Sequence, residues 1–299
     1  MSMIKVIFLG TSDAIPSAER NHTSILLEYK NEDILIDCGE GTQRQFRKAK
    51  LNPNKITKIL ITHWHGDHVL GIPGLLQTLS FSDYNKILNI YGPKGTKEFM
   101  KILLRTFAFQ GKYKINVHEV QGKFFENDEF CLKAEKMSHG IPCNAYTFIK
   151  KGKLRIDKKK LARTKLKGPI LKKLKEGKDI FYRGKKYLAK NLTYEEDSKK
   201  ISFVFDTSFN QKIIPFVKDS DLLVCESTFG VELEDKADKY KHLNVKQTAE
   251  IAKKSKSKKL VLTHISQRYS KNSKKILDAA KKIFRNSVLV KDLDEIEVE

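Results

Sequence analysis

Short apolar runs alternate along the chain with longer segments whose apolar residues recur at helical spacing. The apolar runs predict strands at Ile4–Leu9, Ser24–Tyr29, Asp33–Asp37, Lys58–Thr62, Ile87–Tyr91, Lys114–Val120, Phe130–Glu135, Ala145–Ile149, Ile201–Phe205, Leu222–Cys225 and Leu260–Thr263. The helical spacing predicts helices at Gly41–Ala49, Pro73–Phe81, Thr96–Phe107, Val245–Ser255 and Ser273–Phe284. Strands follow one another early and alternate with helices late, which favours an α/β fold of two packed sheets with helices outside.

The segment Lys150–Lys190, called the basic segment below, interrupts this pattern. It is polar and is broken at Gly168-Pro169 and again at Gly177. It carries eighteen Lys or Arg residues against three acidic residues, about two-thirds of the net charge of +22. Such a concentration of charge favours a polyanionic partner, of which nucleic acid is the usual one. The alternative is a solvated, lysine-rich arm that binds nothing.

Length and cysteine usage limit the class of protein. A chain of 299 residues can form one large domain or two small ones. No apolar run approaches the length of a membrane span, and the N-terminus enters a predicted strand without the layout of a signal peptide. The four cysteines, Cys38, Cys131, Cys143 and Cys225, lack CxxC spacing and indicate reduced core thiols. We therefore expect a cytoplasmic protein.

The string His-Trp-His-Gly-Asp-His at residues 63–68 directly follows an apolar run and predicts a metal site. In an extended segment, residues two apart point the same way, so His63 and His65 can hold one ion. Asp67 and His68 follow where the chain turns, and they can face a second ion. Histidine and aspartate ligands suit zinc. The alternative, a few solvated loop histidines, requires four ligand-type side chains to cluster by accident.

Three more ligand-type residues follow predicted strands. His139 comes after the strand 130–135, Asp206 after 201–205, and His264 after 260–263. Taken singly, each is more typical of a structural residue at the end of a strand. Together with the motif at 63–68 they indicate one site built on a rigid scaffold.

Several further strings narrow the interpretation to one family. They are FLGTSDAIPS at 8–17, RNHTS at 20–24, DCGEGTQRQ at 37–45, FDT at 205–207, ESTF at 226–229 and LTHISQRY at 262–269. With the motif at 63–68 they resemble the ribonuclease Z family of tRNA 3′-processing endonucleases, nearly from end to end. The resemblance implies the metallo-β-lactamase fold, an αββα sandwich with a two-metal site at one rim. It also implies a single domain over residues 1–299, with the basic segment, 150–190, inserted as a tRNA-binding arm.

The resemblance also assigns the ligands. It implies one zinc ion on His63, His65 and His139, a second on Asp67, His68 and His264, and a bridging Asp206. Mn²⁺ or Fe²⁺ are alternative metals for the two positions in each subunit. The implied reaction is two-metal hydrolysis of a phosphodiester, with Asp67 also a candidate base for the attacking water.

The resemblance also implies that two residues outside the ligand set assist the reaction, whereas spacing alone would favour a surface loop histidine for His242. His242 is the candidate proton donor to the leaving 3′-oxygen, and Glu226 is expected to orient it. The chain departs from the family pattern beside both: Cys225 replaces a histidine, and Leu243-Asn244 replaces Ser-Thr. These departures leave the predicted metal ligands intact and affect only the expected positioning of the substrate.

The partner predicted from the basic segment and the resemblance is precursor tRNA. The expected contacts are Lys158, Lys159, Lys160, Gly168, Pro169, Lys172 and Lys173. The resemblance further implies a homodimer in which the arm of one subunit serves the active site of the other.

The resulting prediction is a zinc-dependent endoribonuclease that removes the 3′ trailer from precursor tRNA and leaves a tRNA 3′-hydroxyl. A small-molecule esterase or sulfatase on the same fold is one alternative, but it does not explain the basic segment. A non-catalytic RNA-binding module is the other, and seven filled ligand positions disfavour it.

Overall fold

Two large β-sheets form the framework of the chain. The structure is a computed structural model that describes residues 3–299. Its strands are β1 (Ile4–Gly10), β2 (Ser24–Tyr29), β3 (Glu32–Ile36), β4 (Ile56–Leu60), β5 (Leu88–Gly92), β6 (Ile115–Glu119), β7 (Gly122–Glu126), β8 (Phe130–Met137), β9 (Cys143–Lys150), β10 (Lys153–Ile156), β11 (Ile180–Tyr182), β12 (Lys185–Tyr187), β13 (Thr193–Glu196), β14 (Lys199–Val204), β15 (Leu222–Glu226), β16 (Leu260–Thr263), β17 (Ser287–Leu289) and β18 (Glu295–Val298).

The α-helices connect these strands. They are α1 (Thr42–Lys48), α2 (Gly66–Val69), α3 (Ile72–Phe81), α4 (Thr96–Thr106), α5 (Lys158–Ala162), α6 (Leu171–Lys175), α7 (Ala189–Leu192), α8 (Ile213–Val217), α9 (Glu234–Tyr240), α10 (Val245–Lys254) and α11 (Lys274–Ile283).

The first sheet has the order β18-β1-β2-β3-β4-β5-β6. Its first four strands, from β18 to β3, pair antiparallel, whereas β3 to β6 pair parallel. Helices α1, α3 and α4 bury Phe46, Leu75 and Met100 in a core cluster that also contains Ile7 and Ile90 of the sheet. The helices therefore cover one face of this sheet, as the helical spacing predicts.

The second sheet has the order β17-β16-β15-β14-β9-β8-β7. Strands β14 to β17 pair parallel and are linked through helices, the arrangement that parallel pairing requires. Helices α8, α10 and α11 bury Val217, Ile251 and Ile276 against Val204 and Leu262 of this sheet.

The two sheets meet through residues on their other faces. The rings of Tyr29 and Phe148 lie edge to face with centroids 5.5 Å apart, and the Tyr146 hydroxyl donates a hydrogen bond to the Ile61 carbonyl at 2.7 Å. Layers of helix, sheet, sheet and helix therefore make an αββα sandwich. This confirms the predicted fold class.

The chain separates into two compact units. The first contains residues 1–125, 132–148 and 200–299, and the second contains residues 126–131 and 149–199. The second unit has an apolar cluster of its own, formed by Leu166, Leu174, Ile180, Ala189 and Leu192. The basic segment is therefore folded, where its composition suggested only a polar excursion.

An ion-pair network lies in the second unit. Lys150 donates to Glu196 at 2.7 Å, and Arg155 donates to the other oxygen of Glu196 at 2.5 Å. Lys150 and Glu196 are both buried. The second unit extends beyond the basic segment, to Lys199. The single domain with an inserted arm at 150–190 remains a prediction.

Most predicted elements occur within two residues of their expected bounds. Seven strands were not predicted. The short strands β7, β17 and β18 lie at the edges of the two large sheets, and β10 to β13 form two two-stranded sheets. All four cysteines are free and buried, which confirms that they are core residues. Within residues 3–299, no helix has the length and apolar character needed to cross a membrane.

Candidate metal centre

The motif at 63–68 occupies the segment that follows β4. His63 and His65 lie in the extended part of this segment, and His65 has φ −73° and ψ 151° as the residue before α2. Asp67 and His68 lie in the short helix α2 and are buried. The change from extended chain to helix therefore separates the motif into two pairs of side chains, as the sequence predicts.

Three other strands end beside this motif. His139 follows β8, Asp206 follows β14 and His264 follows β16. Asp206 and His264 have positive φ angles, +43° and +56°. Aspartate and histidine tolerate this left-handed conformation better than most residues, so each can turn the chain and still present a polar side chain.

Four of the predicted ligands surround one point. Nδ1 of His65 lies 3.0 Å from Nε2 of His63 and 3.2 Å from Nε2 of His139. Oδ2 of Asp206 lies 3.5 Å from Nε2 of His63 and 4.0 Å from Nε2 of His139. All four ligand atoms lie within 4.8 Å of one another, a spacing at which they could hold one ion.

A second group shares Asp206 with the first. Nε2 of His68 lies 3.2 Å from Oδ2 of Asp67 and 3.5 Å from Oδ1 of Asp206. Nε2 of His264 lies 3.1 Å from Oδ1 of Asp206 and 3.6 Å from Oδ2 of Asp67. The two oxygens of Asp206 therefore face different groups, so its carboxylate is placed to bridge two ions.

The second group leaves polar atoms without partners. Nε2 of His68, Nε2 of His264 and Oδ1 of Asp206 are buried and make no hydrogen bond with any described residue. Leaving a buried polar atom unsatisfied costs roughly 1–3 kcal/mol. Three such atoms around one point are explained by a metal ion that binds all of them, so the residues fit the metal that the sequence predicts.

In four of the histidines, Nδ1 is the ring nitrogen that faces away from the other ligand atoms, and it is hydrogen-bonded. Nδ1 of His63 lies 3.1 Å from Oγ1 of Thr62, and Nδ1 of His139 lies 3.1 Å from the carbonyl oxygen of Lys241. Nδ1 of His68 bonds to Asp37 and Nδ1 of His264 bonds to Thr228. Such bonds fix the tautomer and leave Nε2 free to bind metal, the usual arrangement around a metal-binding histidine.

The charges around the site also suit a cation. Burial acts to raise the pKa of Asp67, but His68 and His264 outweigh it and hold the pKa well below its ordinary value. The pKa of Asp206 is likewise lowered against the effect of burial, chiefly by His264 and His68. Burial lowers the pKa of His63 well below 6.5. The pKa values of His68 and His264 are raised, against the effect of burial, by the carboxylates of Asp67 and Asp206, so these two imidazoles would lose a proton when a metal ion binds.

Comparison with known proteins gives matches over the whole chain. A ribonuclease Z from Bacillus mycoides (strain KBAB4) is 37% identical over 99% of this chain and 100% of its own length. A ribonuclease Z from Methanothermobacter thermautotrophicus is 38% identical over 99% of this chain and 97% of its own length. The chain belongs to the ribonuclease Z family.

Solved structures agree with this assignment. The short form of human tRNase Z is similar with a TM-score of 0.72 and 28% identity, and the match covers 98% of each chain. The metallo-β-lactamase fold protein YhfI from Bacillus subtilis has a TM-score of 0.73 at 18% identity over the full length of both chains. The predicted metallo-β-lactamase fold is therefore confirmed.

A family model described as anti-Pycsar protein Apyc1 matches residues 4–127. This match ends before three of the predicted ligands, His139, Asp206 and His264, whereas the ribonuclease Z relatives extend over all of them. The full-length relationship therefore decides the family.

Asp37 supports the site, although the sequence analysis assigned it no role. Asp37 is fully buried at the end of β3, and its Oδ2 accepts a hydrogen bond from Nδ1 of His68 at 2.7 Å. The backbone N–H and the hydroxyl of Thr62 also donate to Asp37, both at 2.7 Å. A carboxylate that ends an apolar run is the same signal that identified Asp206, so the sequence contained it.

Glu226 connects three parts of the site. Its Oε1 accepts from the backbone N–H of Thr207 at 2.7 Å, and its Oε2 accepts from the Thr228 hydroxyl at 2.6 Å and from Nδ1 of His242 at 2.9 Å. Nδ1 of His264 lies 2.8 Å from the Thr228 hydroxyl. Both oxygens of Glu226 are therefore occupied, which favours a positioning role over metal binding.

His242 lies beside the ligands with one ring nitrogen engaged. Burial acts to lower its pKa, but the carboxylates of Glu226 and Asp206 outweigh this effect and raise the pKa to about 9. Because Nδ1 bonds to Glu226, Nε2 is the atom left to meet a substrate. His242 and Glu226 therefore lie beside the candidate metal centre, with Nδ1 of His242 3.9 Å from Asp206.

The residues predicted to contact tRNA lie in the second unit. Lys158, Lys159 and Lys160 are exposed on α5, and Asp157 caps this helix by accepting from the Lys160 backbone N–H at 3.0 Å. The other predicted contacts, Gly168, Pro169, Lys172 and Lys173, are also exposed. Their side chains or backbone are accessible, as contact with a polyanion requires.

Proposed function

We propose that this protein is a metal-dependent endoribonuclease that removes the 3′ trailer from precursor tRNA by hydrolysis of one phosphodiester bond. The tRNA product would keep a 3′-hydroxyl. One observation carries the proposal: seven histidine and aspartate residues form two ligand groups that share Asp206, in a chain related over its whole length to ribonuclease Z proteins. The basic second unit supports an RNA substrate.

The proposed cofactor is zinc, with two ions in each subunit. His63, His65 and His139 would hold one ion, and Asp67, His68 and His264 the other. Asp206 would bridge them. Histidine-rich groups with added carboxylates suit Zn²⁺, and Mn²⁺ or Fe²⁺ are the expected substitutes. When bound, the metal ions supply Lewis-acid stabilisation of the phosphate and lower the pKa of a water molecule.

The side chains of this chain then move the protons. Asp67 is the proposed acceptor of the proton of the attacking water, because its carboxylate lies within the second ligand group, 3.2 Å from Nε2 of His68 and 3.6 Å from Nε2 of His264. His242 is the proposed donor of a proton from Nε2 to the leaving 3′-oxygen, because Glu226 holds its other nitrogen. Glu226 is a positioning residue in this scheme, and the buried Thr207 N–H and Thr228 hydroxyl fix its carboxylate.

The basic segment is the proposed tRNA-binding arm. Its contacts would be phosphate contacts from the lysines at 158–160, 172 and 173, with the exposed turn at Gly168-Pro169 beside the RNA backbone. Lys150 is not a phosphate contact in this proposal, because it is buried against Glu196.

A homodimer and a cytoplasmic location complete the proposal. In the dimer, the arm of one subunit would bind the tRNA that the active site of the other subunit cleaves. Four free, buried thiols favour a reducing compartment.

A mixing experiment tests the dimer: subunits carrying Asp206→Asn are combined with subunits in which Lys158, Lys159 and Lys160 are replaced by Gln. Recovery of cleavage in the mixture is expected, and no recovery would contradict an arm that acts across subunits.

The function itself is tested with a 3′-extended tRNA transcript. Purified protein with added Zn²⁺ should release the trailer, and sequencing of the product end should give one defined 3′-hydroxyl terminus. Asp206→Asn is the inactive control. Intact tRNA together with fast hydrolysis of a small activated phosphodiester would favour a small-molecule hydrolase instead. Binding of the transcript without cleavage of either substrate would favour a non-catalytic RNA-binding module.

A further inference from the structure

A cavity of about 690 Å³ opens beside the candidate metal centre. Its wall contains Trp64, His65, Lys94, Gly95, Phe99, Glu119, Ile141 and Pro142. The proposed roles of the metal ligands, of His242 and of the basic segment make no use of this cavity. Its size is within the range of about 300–1,000 Å³ that is usual for small-molecule sites in proteins.

Two aromatic rings form a fixed platform in this wall. The ring centroids of Trp64 and Phe99 are 5.1 Å apart with an interplanar angle of 36°. Nε1–H of Trp64 donates a hydrogen bond to Oγ1 of the buried Thr96 at 3.0 Å, which fixes the indole. Phe99 is nevertheless 46% exposed, so this ring retains a large surface for a ligand.

The cavity shares its wall with the metal centre. Trp64 lies between the ligands His63 and His65 in the chain. His65 itself lines the cavity, as do Ile141 and Pro142, which follow His139 by two and three residues. The cavity therefore adjoins the first ligand group through His65.

The charged residues of the cavity wall also bear on a ligand that carries a phosphate. Lys94 is exposed and makes no ion pair with any of residues 3–299. The carboxylate of Glu119 is already engaged, since its Oε1 accepts from the backbone N–H groups of Gly95 and Lys97 at 3.0 and 3.2 Å. Lys94 can therefore pair with a phosphate beside the aromatic rings, while the Glu119 carboxylate is held at the start of α4.

We propose that this cavity holds a nucleobase of the substrate, that of a nucleotide adjoining the scissile phosphate, stacked on Phe99 and Trp64. The inference rests on the proposed endoribonuclease function. Every base offers a π-face, so stacking on aromatic side chains aligns a nucleotide without requiring one particular sequence. The platform would fix the register of the RNA so that the correct phosphate lies on the metals.

The decisive experiment measures kcat/KM for the zinc-loaded, full-length protein on 3′-extended tRNA. Three substrates are compared: the normal one, one abasic at the nucleotide 5′ of the scissile phosphate, and one abasic at the nucleotide 3′ of it. Wild-type protein should cleave one abasic substrate about 5- to 150-fold more slowly, the effect of losing one stacked base. The substrate that is affected identifies the base.

Variants of Phe99 connect this effect to the cavity. Phe99→Ala should slow cleavage of the normal substrate by a similar factor and cause no further loss on the affected abasic substrate. Phe99→Tyr, which keeps a stacking ring, should restore most of the rate. Phe107→Ala is the matched control, because Phe107 is 49% exposed and lies outside the cavity. Metal content should be unchanged in all three variants.

The outcomes are distinct. If wild-type protein cleaves all three substrates at equal rates, or if the losses from Phe99→Ala and from base removal multiply, the cavity does not hold the base. If wild-type protein cleaves none of them, the endoribonuclease function fails and this proposal fails with it.

A binding measurement gives an independent check. Trp64 is the only tryptophan of the chain, so its fluorescence reports directly on the cavity. Binding of the normal substrate, made with a non-hydrolysable linkage at the scissile position, to zinc-loaded wild-type protein should quench this emission, and the affected abasic substrate with the same linkage should bind with little quenching. Equal quenching by both would overturn the stacking.

Discussion

The charge of the basic segment offers the most quantitative test of the proposed RNA binding. The perturbation is a triple substitution of Lys158, Lys159 and Lys160 by Gln. All three side chains are exposed on α5. The substitution keeps the backbone N–H of residue 160, which donates to the Asp157 side chain at the start of α5, so the helix should remain folded.

The expected magnitude follows from counterion release. Each lost phosphate contact should make the plot of log K against log salt concentration shallower by about 0.9. Nζ of Lys160 lies 3.8 Å from Asp157, so this lysine is partly neutralised and the triple substitution removes two to three contacts. The slope should therefore change by about 1.8–2.7. A rise from about 50 to about 200 mM salt should then weaken wild-type binding about 10- to 40-fold more than variant binding.

The assay is titration of a labelled 3′-extended tRNA at several salt concentrations, with Asp206→Asn in the background to prevent cleavage. The control triple replaces Lys274, Lys281 and Lys282, which are also exposed but lie in the first unit, by Gln. It lowers the net charge by the same amount. Equal slopes for wild type and the variant at 158–160, or an equal change in the control triple, would refute a localised arm.

The other predictions concern the candidate metal centre. Asp206→Asn should abolish stoichiometric metal binding and cleavage while circular dichroism stays unchanged, since asparagine also tolerates φ +43°; full metal content by elemental analysis would contradict this. Thr228→Val should weaken metal binding about 10- to 100-fold in a chelator competition, because the group that orients His264 is lost; an unchanged competition curve would exclude that role. Glu226→Gln should lower the pKa of His242 from about 9 in the metal-free protein, because a neighbouring negative charge disappears. An NMR titration of His242 that does not shift would disprove this coupling.

The sequence predicts the framework best where apolar runs are long and buried. Ser24–Tyr29 and Leu260–Thr263 have the predicted bounds, since each is an almost wholly buried strand. Glu295–Val298 escapes prediction because only Ile296 of its four residues is buried. Such an edge strand owes its conformation to pairing with β1 from the other end of the chain, which local sequence does not encode.

The basic segment shows where the sequence predicts the framework least well. Its eighteen basic residues dominate the composition, and its apolar residues are spaced too widely to predict a core. The structure nevertheless buries Leu174 and Ile180 completely or nearly so. A few apolar residues contributed by several short elements suffice for a small cluster, and their convergence depends on turns at Gly168, Gly177 and Gly184, all with positive φ.

The candidate metal centre was predictable because ligand chemistry and backbone conformation select the same residues. Asp37, Asp206 and His264 each follow a buried strand, and each has a positive φ angle between +43° and +56°. Such a conformation costs most residues free energy, but aspartate and histidine adopt it more readily than bulky or β-branched residues. A polar residue that ends an apolar strand can therefore serve as the turn and as the functional group at once. The same criterion identifies Asp37, whose hydrogen bond orients His68, whereas Thr228 has no such signal because its role depends on Glu226 and His264 from two different strand ends.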